Sequence, residues 1–173
     1  MNTYQQIYHT GVSFEQFLQG ALDAERDEAT RFAMRVREPG CISVATQQRF
    51  AALKGTYHLL IAAESWCPDC RIQLGAFDYL RELQPRLDLA IISKGRAEND
   101  LQVDLGLSSI LIPVIAILDE RFACIGKFVE RPTQVAQGRS DEVLTRYRQG
   151  AFLEHALLDL LGILEGHENP DAH

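Results

Sequence analysis

The chain has 173 residues, 46% of them hydrophobic and 24% charged, with a formal net charge of −7. That length suits one domain that buries its own core without disulfide staples. The acidic balance argues against a nucleic-acid partner, and no apolar run is long enough to span a membrane, so no membrane association is expected.

The first six residues lack the basic and apolar stretches of a secretory signal, which makes the cytoplasm the expected compartment. Residues 1–12 read as a loose lead-in. Ser13-Phe14-Glu15-Gln16 fits a capping box, and Phe14, Phe17, Leu18, Ala21 and Leu22 share one helical face. Charges cluster from Glu25 to Glu28 and read as a solvated face; apolar spacing resumes at Ala29, Phe32, Ala33 and Val36. The pattern predicts one long helix, or two that abut, ending before Pro39-Gly40. With a further helix expected over 43–53, residues 1–54 form an N-terminal helical extension packed on the core.

Strands and helices alternate from Tyr57 onward. A strand is expected over 57–63, a helix from about Arg71 to Leu83, a strand over 87–92 and a short helix over 98–105. Two apolar runs, 114–118 and 122–129, flank Asp119-Glu120-Arg121 and read as a hairpin. Helices over 140–148 and 151–164 follow, the second with Leu153, Leu157, Leu160, Leu161 and Leu164 on one face. Residues 166–173 read as a flexible tail. This β-α-β-α-β-β-α order over 55–165 predicts an α/β fold, a mixed four-stranded sheet with helices on both faces.

The stretch with the most chemistry is Trp66-Cys67-Pro68-Asp69-Cys70, at the junction of the first strand and its helix. A thiol at a helix N-terminus meets unpaired N–H groups and the positive end of the dipole, and both favour thiolate. Pro68 suits the first helical position. Cys67 is expected at the cap, as the more exposed thiol, with Cys70 one turn further in and close enough for a disulfide. Asp69 opposes charge on Cys67 and so raises its pKa relative to a neutral residue. A zinc site would need two more ligands, and Cys41, Cys124 and the five histidines supply no second close pair, so no metal is expected. Cys124, in an apolar strand, is expected to be buried; Cys41 is expected near the surface, as are the histidines.

The motif in this setting resembles the thioredoxin superfamily, in particular bacterial thioredoxin-like proteins with a WCPDC motif and extra N-terminal helices. Pro113, 43 residues beyond Cys70 and just before the hairpin, matches the family's cis-proline, and Gly126 matches its glycine near the site. The resemblance implies a thiol–disulfide oxidoreductase acting on protein disulfides. Cys67 is the implied nucleophile and Cys70 the resolving thiol. Trp66, Ile112 and Pro113 would contact substrate, and Pro68 and Asp69 would tune the thiol. It implies a redox-active Cys67–Cys70 disulfide, no bound cofactor, and electrons from a separate reductase or small thiol, since no dinucleotide fingerprint is present. Ile61 stands where the family has a buried Asp, leaving Glu64 and Lys94 as possible substitutes for the missing base. An alternative of another class is a thioredoxin-fold adaptor or redox sensor with little turnover.

Overall fold

The computed structural model describes residues 3–171. Its core is a four-stranded sheet in the order β2-β1-β3-β4, built from β1 (Tyr57–Ala62), β2 (Leu87–Ile92), β3 (Val114–Leu118) and β4 (Cys124–Val129). β1 and β2 are parallel, in register from Tyr57 with Leu87 to Ala62 with Ile92. β3 runs antiparallel to both β1 and β4, with a register shift at Ile117–Leu118 in the hairpin. Every residue of β3 is buried, and successive strand side chains point to opposite faces, so both faces of the sheet are covered. The mixed α/β architecture matches the one read from the sequence.

The helix carrying the cysteines, α5 (Pro68–Leu83), packs against α9 (Leu153–Glu168), and both lie on the sheet. Its apolar stripe, Ile72, Leu74, Ala76, Phe77 and Leu80, is buried at helical spacing. The N-terminal extension is four helices: α1 (Tyr4–Tyr8), α2 (Phe14–Gln19), α3 (Asp23–Arg35) and α4 (Val44–Ala52). α3 lies along α5, and Gly75 marks the contact. A Cβ at Gly75 would stand 2.5 Å from both Cα and Cβ of Ala33.

Several expectations are corrected. Residues 3–12 are not loose: Thr3 and Gln6 form a capping box that starts α1, and Ile7 and Tyr8 are buried. Val12 then exchanges backbone hydrogen bonds with Ile91 (2.9 and 2.8 Å) and covers the outer edge of β2. Of the two arrangements expected before Pro39, the structure takes the pair of successive helices, α2 and α3, with the chain turning at Gly20–Leu22. The short helix expected over 98–105 is α6 (Lys94–Asp100), capped by Ser93, whose hydroxyl accepts from the Arg96 N–H. An unexpected helix, α7 (Thr133–Gly138), precedes α8 (Asp141–Arg148). α9 runs on to Glu168, whose carboxylate accepts hydrogen bonds from the N–H groups of Lys54 and Gly55 and from the Tyr57 hydroxyl (2.8 to 2.9 Å). Gly166 to Glu168 are therefore helix rather than tail; Ala172 and His173, like Met1 and Asn2, lie outside the described residues. Gly126 faces α9 instead of the site: a Cβ there would meet Ile163 at 2.6 Å. Cys124 is exposed, since it begins the outermost strand.

His58 is not a surface histidine. It stacks face to face on Phe122 at 4.2 Å and meets Tyr8 edge-on at 5.1 Å. Burial pushes its pKa below the ordinary value. The unfolded chain therefore binds the proton more readily, and the stability His58 contributes is present above its unfolded value near ~6.5. It is lost as pH falls through the lower folded value. Urea midpoints measured from pH 7 to pH 5 should fall more steeply for the wild type than for H58F. Gly75→Ala should destabilise by about 1–3 kcal/mol through overpacking on Ala33. Gly162→Ala, in the same kind of helix but with nothing within 4 Å, should instead stabilise by about 0.5–1 kcal/mol in the same urea series.

Candidate active site

β1 stops at Ala62, and α5 begins six residues later. Cys67 is the N-cap of α5, with extended backbone, and Pro68 holds the first helical position. The Cys67 N–H donates to the Glu64 carbonyl (3.2 Å), and the Cys67 carbonyl accepts from the Arg71 N–H (3.1 Å). Both cysteines are free thiols. The cap position does not expose Cys67, which is 5% accessible; Cys70 is fully buried. What covers Cys67 is the segment before β3. Its thiol donates to the Ile112 carbonyl at 3.6 Å, and the Ile112–Pro113 peptide is cis. Cys67, Cys70, Ile112 and Pro113 thus form one cluster. Trp66, 58% accessible, and Pro68 stand at its exposed rim. The Ile112 carbonyl, expected to be open to a ligand, is taken by Cys67 in this dithiol form.

The two thiols differ in acidity. Cys67 is lowered to about 7, first because the Cys70 thiol hydrogen-bonds to it when it ionises; burial opposes this, the Cys70 backbone N–H assists, and the Asp69 charge opposes. Cys70 is pushed far up by burial and then by its neighbour Cys67. At neutral pH one thiol ionises and the other stays protonated, the division that nucleophile and resolving thiol require.

The Asp69 carboxylate is enclosed, with Arg131 donating to both oxygens (3.0 and 3.3 Å) and the Tyr147 hydroxyl to one (2.7 Å). Buried Gln73 places Nε2 within reach of the Glu130 carbonyl (2.7 Å), Tyr147 Oη (2.9 Å) and the Asp69 carbonyl (3.2 Å), which share its two hydrogens. Sequence reasoning missed Arg131, Tyr147 and Gln73. Gln73 carried a signal: it is a polar residue beside Leu74, on the face that Cys70 and Phe77 share, where a core residue is expected.

The charge run of α3 is not a solvated face either. Glu25 accepts from the Ser65 hydroxyl at 2.8 Å. Glu28 pairs with Arg71, which also donates to the Ser65 carbonyl at 3.0 Å. The extension therefore grips the turn that presents Trp66. Ile61 is fully buried, with no acid in its place. Glu64 accepts from the Lys94 N–H at 2.8 Å, and the Lys94 ammonium lies 3.6 Å from Glu98, so both candidate bases serve the start of α6. Among the described residues no group of three or more His, Cys, Asp or Glu could hold a metal ion, and no helix is long and apolar enough to cross a membrane. Cys41 is half-buried.

The family model described as Thioredoxin matches residues 11–143. The chain belongs to the thioredoxin family. The match begins inside the extension, so α2, α3 and α4 fall within it and α1 does not. Two solved structures resemble this thioredoxin-family chain closely. One is a protein of unknown function from Pseudomonas aeruginosa, 42% identical over 96% of this chain and 99% of that one, with a TM-score of 0.92. The other is an HIV epitope scaffold, 42% identical over 95% and 99%, with a TM-score of 0.91. No curated protein matches.

Cys67 alkylation by iodoacetamide should rise with pH to a midpoint near 7. Cys70→Ala removes the largest stabilising contact and leaves burial and Asp69 in opposition. Its midpoint should move up by a unit or more, read from the pH dependence of the alkylation rate or of thiolate absorbance.

Proposed function

We propose that this protein is a thiol–disulfide oxidoreductase that reduces protein disulfides. The observation that carries the reading is the pair of thiols at the start of α5. Cys67 is acidified and packed against Ile112-Pro113, and Cys70 is protonated one turn behind it. In the first step the Cys67 thiolate attacks one sulfur of a substrate disulfide. An S–S bond forms between Cys67 and that sulfur, the substrate S–S bond breaks, and the other substrate sulfur leaves as thiolate and takes a proton. In the second step Cys70 loses its proton and attacks Cys67 Sγ. The Cys67–Cys70 disulfide forms, and the second substrate sulfur leaves. The substrate gains two electrons and the protein loses them. A separate reductase or low-molecular-weight thiol returns them.

Substrate geometry follows from the same cluster. An extended segment beside Pro113 would displace the Cys67 thiol from the Ile112 carbonyl and pair with that backbone, adding a short strand. Trp66 supplies an apolar wall beside the sulfur. The Pro-Asp dipeptide is in keeping with a narrower substrate range than that of common thioredoxins. Four free thiols and no disulfide staple suit a reducing compartment such as the cytoplasm.

The test is a reduction potential measured against a glutathione series, paired with turnover of a protein disulfide. A reversible two-electron couple near ~−270 mV, typical of thioredoxin, is expected. Turnover should be lost in Cys67→Ser, and Cys70→Ser should accumulate the mixed disulfide. No reversible couple, with binding of a partner independent of redox state, would overturn the reading in favour of an adaptor.

A further inference from the structure

We propose that Arg131 and Tyr147, with Gln73 behind them, are positioning residues that hold and neutralise the Asp69 carboxylate, and so set how readily Cys67 ionises. The proposal rests on the dithiol reading above for its consequence in redox chemistry, but not for its test.

Asp69 sits two residues from Cys67, inside the motif itself. A bare carboxylate there would oppose thiolate formation. The structure does not leave it bare. Its side chain is 15% accessible, and three hydrogen bonds from two side chains converge on it. Arg131 approaches as a fork, one nitrogen to each oxygen, the geometry in which guanidinium and carboxylate neutralise each other best. Tyr147 is buried, and burial followed by the Asp69 charge drives its pKa up, so it stays a hydroxyl and a donor at any working pH.

Gln73 fixes the arrangement. Its Nε2 faces two backbone carbonyls, Asp69 and Glu130, which can only accept, so the amide orientation is determined. The Glu130 N–H in turn donates to the Pro113 carbonyl at 2.8 Å. Glu130 has a left-handed backbone (φ 62°). A closed circuit results: Cys67 to Ile112, Pro113 to Glu130, Glu130 to Gln73, and Gln73 to Tyr147 and Asp69. The residues that balance the charge are thus tied to the segment that covers the sulfur. Of the other charged neighbours, Glu130 shares Arg131 with Asp69 at longer range, and the rest are held away from it. Glu130 lies 3.8 Å from Arg131, and Arg71 is held by Glu28 on the opposite side, with Glu25 on Ser65.

The test is a double-mutant cycle read by Cys67 alkylation between pH 5.5 and 9. Arg131→Met should raise the Cys67 midpoint and slow alkylation at pH 6.5 at least threefold. Asp69→Asn should lower the midpoint. In the Asp69→Asn background, Arg131→Met should have a much smaller effect, because the carboxylate that acts on Cys67 is gone and only Glu130, 3.8 Å from Arg131, is left to unmask. Tyr147→Phe, which removes one donor and keeps the ring, should act like Arg131→Met but less, and Arg131→Lys should restore part of the loss. A threefold change in the exchange equilibrium corresponds to about 14 mV, toward the reducing side for Arg131→Met.

A purely structural role predicts a lower melting temperature with the midpoint unmoved. That result, or an Arg131→Met shift that persists undiminished in Asp69→Asn, would overturn the proposal. Tyr147→Phe keeps the question answerable if Arg131→Met fails to fold. Alkylation needs no turnover, so a missing redox couple would sink the reductase reading while leaving this cycle to stand or fall by itself.

Discussion

A helix that starts where a central strand stops leaves its first N–H groups without partners inside the helix. In this protein those groups belong to α5, and the rest of the site is arranged around them. The N–H groups of Asp69 and Cys70 favour charge on the Cys67 sulfur, and Pro68 occupies an early position where an N–H would have been surplus. β1 brings the chain to that point from the middle of the sheet. β3, its antiparallel neighbour, brings Ile112 and Pro113 to the same end from the other side. The chemistry is placed by topology before any side chain is chosen.

Around that core the charges are arranged in two shells of opposite effect. On one side, Glu25 and Glu28 of α3 hold Ser65 and Arg71, fixing the turn that carries Trp66. On the other, Arg131 and Tyr147 enclose Asp69. The chain as a whole is acidic, yet near the sulfur the acids are each given a donor.

Much of this was legible in the sequence, and the reasons are particular. The strand-to-helix junction showed in the apolar run before Trp66-Cys67 and the helical spacing after it, because both depend on local periodicity. Pro113 was legible because its distance from the motif is set by one intervening strand and helix. The Asp69 enclosure was not, since Arg131 and Tyr147 lie 62 and 78 residues away along the chain and carry no local mark of their partner. The burial of Cys67 was missed for the same reason: a cap position says which amides are free, not which distant segment lies over them. The α1 capping box was local and readable, but a five-residue helix is too short for apolar spacing to announce it. Cys124 shows the reverse error. An apolar run marks a strand, yet only strand order reveals that it lies at an edge.

The antiparallel bridge between Val12 and Ile91 has a consequence for how this scaffold can be rebuilt. It closes the free margin of β2 with a segment that belongs to the extension, while α3 from the same extension leans on α5. Cutting the chain back to the smallest recognisable unit would therefore do two things at once. It would uncover a hydrogen-bonding edge able to recruit another chain, and it would release the loop bearing Trp66. For protein engineering, the extension is a seam rather than a tag, and cargo is better grafted onto the exposed face of α9 at Gly162 than fused in place of the first helices.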